Sequence, residues 1–107
     1  MQICFGKDFF AAVGKLKNAK DLAAVNAFIQ KFQSNPANPG ISLERVEGAK
    51  DPNIWSTHVG KDVRVIVHKT SDVWTLLYAA HHDDAYRWAR HVKLENHPKT
   101  GNLQVVH

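Results

Sequence analysis

Two histidines followed by two aspartates, His81-His82-Asp83-Asp84, form the densest group of proton-transferring side chains in the sequence. An imidazole exchanges protons near neutral pH. An apolar run precedes the group and an amphipathic pattern follows it, so it stands where a strand ends and a helix begins. A helix N-terminus presents free N–H groups and a partial positive charge, which can hold an anion such as a phosphate beside the imidazoles. The same residues also read as ordinary helix punctuation: Asp83 as N-cap, Asp84 against the helix dipole, and Asp83 paired with Arg87 four residues on. Metal chemistry is the third reading. Adjacent residues of an extended segment point to opposite faces, and no further ligands stand at diagnostic spacing, so no metal site is expected.

Arg64 is the second candidate. It alternates with Val63, Val65 and Val67 and therefore lies on the other face of their strand, with Ile66 and His68. A planar guanidinium there suits bidentate phosphate binding; it equally suits a salt bridge to Glu44 or Glu47 across the sheet. Glu44 follows a short apolar segment, where it is either a general base or a solvated carboxylate. Lys61, in the connection Gly60-Lys61-Asp62, joins Tyr86, Arg87 and Arg90 as candidate nucleic-acid contacts, and Tyr86 is placed to stack on a base. The stripe of Arg87, Arg90, His91 and Lys93 also fits a plain solvated helix face. No Ser-His-Asp arrangement, phosphate-cradling glycine loop or CxxC motif is present.

These residues need elements to position them. Gln2–Phe5 suits an opening strand. From Lys7 onward Phe9, Phe10, Val13 and Leu16 recur at helical spacing, and Leu22, Val25, Phe28, Ile29 and Phe32 repeat the pattern after Asp21, the expected N-cap. The pattern predicts an αα-hairpin. Asn35-Pro36-Ala37-Asn38-Pro39-Gly40 ends it, because a helix cannot continue through that composition. Past this break the period becomes two. Ile41 and Leu43 predict a short strand, Asp51-Pro52-Asn53 a turn, and Trp55, Thr57 and Val59 a second strand. Val63 to His68 makes the third, Ser71-Asp72 a turn, and Val73 to Ala80 a strand buried on both faces. A last helix starts near Asp83, with Ala85, Trp88, Ala89 and Val92 on one face. Helices followed by a meander of strands give an α+β domain over residues 1–92. Residues 93–107 read as a C-terminal tail or linker, or as an edge strand returning to the sheet.

The chain has 107 residues, the size of one small domain, and 44% of them are hydrophobic, which excludes wholesale disorder. A net charge of +4 permits a polyanionic partner without demanding one, and seven histidines make that balance depend on pH. One cysteine, Cys4, excludes an internal disulfide and a multi-cysteine zinc site. No signal peptide and no apolar run long enough for a membrane span are visible, so a cytoplasmic protein that makes no membrane contact is expected.

This order of elements, with Trp55-Ser56, Arg64 and Leu76-Leu77-Tyr78 in their places, resembles the RelE/ParE superfamily of bacterial toxins over residues 1–92. The resemblance implies an N-terminal αα-hairpin packed on a twisted antiparallel sheet with a C-terminal helix. It also implies a metal-independent endoribonuclease without cofactor, a toxin-antitoxin protein whose ribose 2′-OH attack cleaves mRNA on the ribosome. Arg64 then matches the strand arginine that steadies the phosphate, Glu44 falls near the carboxylate base, and His82 or His81 near the C-terminal catalytic histidine. An antitoxin is the implied protein partner. The stretches Asn38-Pro39-Gly40-Ile41, Gly48-Ala49-Lys50-Asp51-Pro52-Asn53, His81 to Ala89 and His97-Pro98-Lys99-Thr100-Gly101 further resemble the RelE-like N-terminal domain of UvrD-type DNA helicase proteins. That resemblance implies a helicase-associated interaction domain without catalysis; the ParE branch implies poisoning of DNA gyrase instead. The chain departs from the ribonucleases in two respects: its His-His-Asp-Asp opens a helix, and its aspartates bring negative charge where RNA would lie.

Overall fold

Three strands in direct succession build the centre of the molecule, and their alternation decides what covers each side. The computed structural model describes residues 2–96, 98–101 and 103–106. In chain order the elements are β1 (Gln2–Phe5), α1 (Lys7–Val13), α2 (Ala19–Ser34), β2 (Glu44–Arg45), β3 (Ile54–Val59), β4 (Val63–Lys69), β5 (Val73–His81), α3 (His82–His91), β6 (Lys93–Asn96) and β7 (Leu103–Val106). The sheet order is β1-β5-β4-β3-β2, and β6 and β7 form a separate hairpin. The expected α+β architecture is present. Pairing is antiparallel from β2 to β5, while β1 joins the edge of β5 in parallel, with Gln2 opposite Val73 and Phe5 opposite Leu76.

Val63, Val65 and Val67 face the two N-terminal helices, whose Phe9, Val25, Phe28 and Phe32 complete one core. The opposite face carries Ile54, Ile66 and Leu77 against Ala85, Ala89 and Val92 of α3 and its end. The sheet is thus covered on both sides, which suits the nearly continuous apolar sequence of β4 and β5. Between Ile66 and Val67 the register slips. Ile66 stands opposite Tyr78 and Val67 opposite Leu76, so Leu77 is the extra residue, and both Leu77 and Tyr78 belong to the α3 side. The bulge lets a strand in register with β1 at one end present a different set of side chains at the other. At the sheet's far end Lys69 Nζ lies 4.7 Å from the ring of Trp74 and 5.1 Å from that of Trp55.

Local chemistry moved several boundaries away from expectation. Asn18, not Asp21, caps α2: its side-chain oxygen accepts from the N–H of Lys20 at 2.8 Å and of Asp21 at 3.3 Å, leaving Asp21 in the first turn. The helix stops at Ser34, and Asn35 and Asn38 then accept from the N–H of Ala37 and Gly40, which turns the chain in place of further helical bonds. No strand forms at Ile41 and Leu43; both pack against the first core, and pairing begins only at Glu44 and Arg45, opposite Ser56 and Trp55. The β3–β4 connection needs Gly60, whose φ of +68° favours glycine and where an added Cβ would lie 3.3 Å from Ala24 of α2. Within residues 93–107, expected as a tail or linker, β6 and β7 form an antiparallel hairpin whose Leu94, Leu103 and Val105 pack on the α3-side core. His97, part of the motif that carried the linker reading, lies outside the described residues. No helix among the described residues is long and apolar enough to cross a membrane.

Candidate functional site

Residues opposite one another on neighbouring strands point to the same face, so the register sets out the candidate site row by row. Glu44, Ser56, Ile66 and Tyr78 form one row, and His58, Arg64 and Ala80 the next, all on the side of α3. Arg64 and Glu44 therefore share a face. They are separated by β3, two strand spacings across and two residues along, about 12 Å, and no ion pair joins them. The salt bridge of Arg64 to Glu44 or Glu47 is not formed. Instead Arg64 is only 8% exposed, its Nη1 donates to the carbonyl of Val63 at 3.2 Å, and its Nε is buried with no partner among the described residues. Glu44 lines a cleft of about 290 Å³ with Ser42, Ser56 and His58.

The two histidines have separate fates. His81 closes β5 as the N-cap residue of α3 but makes no side-chain cap bond. Its Nδ1 lies 2.9 Å from Asp62 Oδ2 and its Nε2 3.3 Å from Asp21 Oδ2, so the ring bridges the β3–β4 turn and the start of α2. The His81 hydrogen bond holds the Asp62 carboxyl below the usual carboxylate range; desolvation opposes this, while the N–H of His82 and the charges of His81 and Arg64 assist it. His82 donates its Nδ1 toward Asp83 Oδ1 at 2.9 Å and sets its ring edge-on to Tyr86, 4.6 Å between centroids. The N–H of His82 is bound by the Asp62 carbonyl at 3.0 Å.

Asp84 stands in the first turn against the helix dipole, as expected, but Asp83 does not act as expected. Asp83 lies inside the first turn rather than at the N-cap and engages His82; Arg87 pairs with Asp84 at 2.9 Å, three residues away, not with Asp83. His81 takes the N-cap place expected of Asp83, two residues earlier, and with Asp83 turned to His82, Arg87 pairs with Asp84. Asp62, Asp83 and Asp84 line a depression of about 370 Å³ with His81, His82 and Arg87.

Of the candidate nucleic-acid contacts, Tyr86 is half-buried and its hydroxyl lies 3.0 Å from Ser56 Oγ, tying α3 to β3. Arg90 sits 5.7 Å from the Tyr86 ring centroid and donates its Nε to the Glu47 carbonyl at 3.4 Å. Lys61 and Arg87 are exposed. Contacts thus run from Glu44 across Ser56 to Tyr86 and His82, whereas His81 stands apart behind Asp62. The sequence reading gave His58 no role and named Ser56 only within the resemblance, although a signal existed: they alternate with Trp55, Thr57 and Val59 and so fall on the face of Arg64. Among the described residues no group of three or more His, Cys, Asp or Glu side chains is arranged to hold a metal ion.

No family model matches the chain, and no curated protein matches it. Solved structures do. RelE in the RelB-RelE antitoxin-toxin complex from Methanococcus jannaschii aligns with a TM-score of 0.63 and 15% identity, covering 79% of this chain and 96% of that one. The YoeB dimer from Staphylococcus aureus aligns at 0.56 and 15%, over 77% and 97%. The RelE-RelB complex from Pyrococcus horikoshii aligns at 0.55 and 18%, over 76% and 93%. At these identities the likeness is one of backbone, and what it establishes is that the chain carries the fold of the RelE-type toxins.

Proposed function

We propose that this chain is a RelE-type toxin-like domain that cleaves RNA by internal transfer. The ribose 2′-oxygen attacks the adjacent phosphorus, the 5′-oxygen leaves, and a 2′,3′-cyclic phosphate and a 5′-hydroxyl result. Glu44 accepts the 2′-hydroxyl proton, His82 delivers a proton to the departing oxygen, and Arg64 meets the charge on the phosphorane oxygens. The observation that carries the reading is the orphaned Arg64 Nε. An unmatched buried donor costs about 1–3 kcal/mol of folding free energy, a cost that a phosphate oxygen would remove. Between the histidines the reading takes His82, since both ring nitrogens of His81 face carboxylates. Lys61, Tyr86, Arg87 and Arg90 flank the path an RNA strand would follow. Two of the similar structures are toxins held by antitoxins, and an antitoxin is the corresponding partner proposed here, with ribosome-bound mRNA as the substrate.

Primer extension on ribosome-bound mRNA tests the assignment. The chain cuts the message; Arg64→Gln abolishes cutting, and His82→Gln slows it by about 10²–10⁴-fold, the usual contribution of a general acid. His81→Gln keeps the rate within a few fold. An intact message after exposure to the unmodified chain overturns the reading.

A second reading rests on a different observation: the carboxylates of Asp62, Asp83 and Asp84 surround the His82 depression, which disfavours a polyanion there. Together with the stretches that resemble the N-terminal domain of UvrD-type helicases, this supports a non-catalytic interaction domain that places a helicase on its partner. It predicts no cleavage and direct binding between this chain and such a helicase.

A further inference from the structure

We propose that a second copy of this chain pairs with β1 across a two-fold axis at Cys4, joining two sheets into one. β1 ends the sheet order, with β5 as its one neighbour. The N–H of Gln2 takes the Asp72 carbonyl at 2.9 Å and that of Gly6 the Leu76 carbonyl at 2.7 Å, so these residues turn their backbone groups inward. By alternation Ile3 and Phe5 turn theirs outward, where no strand meets them among the described residues. Folded chains protect such an edge with charge, proline or brevity. At the opposite edge β2 is two residues long, and both, Glu44 and Arg45, are charged. β1 is Gln2-Ile3-Cys4-Phe5, with neither charge nor proline. Phe10, the one large apolar side chain exposed among the described residues, stands beside it. That side chain is 57% exposed, and its ring stacks on Phe5 at 5.2 Å and 28°.

The edge complements itself, which identifies the occupant as a second copy. Antiparallel pairing with Ile3 opposite Phe5 lets both outward residues of each copy exchange N–H···O bonds. Cys4 then lies opposite Cys4 of the second copy and Gln2 opposite Gly6, so no like charges meet. Ile3 and Phe5 belong to the face of the two N-terminal helices, and the pairing sets Ile3 of each copy beside the Phe5–Phe10 stack of the other. Lys7 of the second copy falls one step beyond Gln2, level with Asp72 and about 10 Å across at two strand spacings. A lysine and an aspartate side chain together span that gap. Both residues are exposed, and neither makes an ion pair among the described residues. The two-fold axis forms the contact twice. β5 stands between this edge and the strands of Arg64 and Glu44, so the pairing does not depend on the ribonuclease reading. An interface this short gives a weak association set by concentration.

Sedimentation of the whole chain from about 10 μM to about 1 mM tests the proposal. Monomer passes into dimer, and amide exchange at Ile3 and Phe5 slows as the dimer forms. Phe10→Glu weakens the dimer about tenfold or more. Lys7→Glu and Asp72→Lys each weaken it and together restore it, because the exchange reverses both ends of one contact. Circular dichroism confirms that each variant is folded. Mild oxidation with copper phenanthroline links Cys4 to Cys4, since residues opposite one another at such a position have Cα atoms about 4.5 Å apart, within the reach of a disulfide. With Gln2→Cys and Cys4→Ser combined, the same oxidation gives no link, the two copies of position 2 being about 14 Å apart. A chain still monomeric at the highest concentration overturns the proposal. So does a dimer that protects neither amide, one that Phe10→Glu leaves intact, one that the charge exchange fails to restore, or linking as fast from position 2 as from position 4.

Discussion

Arg64 holds a charge in a strand that is otherwise buried up to His68: valines flank it, it lies on the α3 side of the sheet, and its one side-chain hydrogen bond among the described residues goes to the carbonyl of the residue before it. An uncompensated buried guanidinium costs stability, and an apolar side chain of similar length removes that cost. Arg64→Met is therefore expected to leave the unfolding free energy from urea titration unchanged or raise it by about 1 kcal/mol, while the proposed RNA cleavage is lost. A clear loss of stability instead means that Arg64 has a structural partner. Alternation in the sequence was enough to put Arg64 on the face opposite the valines. Its burial and the missing glutamate were not legible, because they depend on how the sheet packs and on β3 lying between it and Glu44. The roles of His81 and His82 were likewise open in sequence, since adjacent residues of similar type diverge only once the helix start is fixed.

The start of α2 and the turns that follow its end were settled by hydrogen bonds that local periodicity does not display. Asn18 begins α2 through two accepted N–H bonds, and Asn18→Ala is expected to cost about 1 kcal/mol, as N-cap removals do, measured by chemical denaturation. Asp21 in the first turn meets His81 instead, a contact across more of the sequence than any capping rule spans. The junction of β3–β4, α2 and α3 also carries a pH signature. The Asp62 carboxyl is held low in the folded chain by His81, so the unfolded chain binds more protons and stability rises with pH through the ordinary carboxylate value of about 3.9. The contribution is complete above that value and is lost as pH falls through the lower, folded one. Asp62→Asn is expected to flatten the acid limb of a stability–pH curve; an unchanged limb would refute this role. Long periodic elements such as α2, β4 and β5 were legible from their apolar spacing. The two-residue β2 was not, because Ile41 and Leu43 pack their partly buried side chains on the core without pairing their backbone in the sheet.

At the scale of the whole molecule, one sheet divides two cores, and the C-terminal hairpin belongs to the second through Leu94, Leu103 and Val105. A chain ending at Val92 is expected to keep its sheet by circular dichroism and to lose about 1–3 kcal/mol of stability, the worth of one or two apolar side chains returned to water. No loss would mean that the hairpin is indifferent to the domain. The α+β arrangement followed from the change of hydrophobic period after Gly40, whereas the hairpin was hidden by a sequence in which His-Pro and Thr-Gly read as the start of a linker. The same two-sided plan has an optical consequence. Two of the three tryptophans share the ammonium of Lys69 at one end of the sheet, and the third lies flat on a tyrosine beside α3. Emission from Trp55 and Trp74 thus reports one end of the molecule and emission from Trp88 the other, so two single-face fluorescence signals can be had from the natural residues by substituting Trp88 in one variant and the other pair in a second.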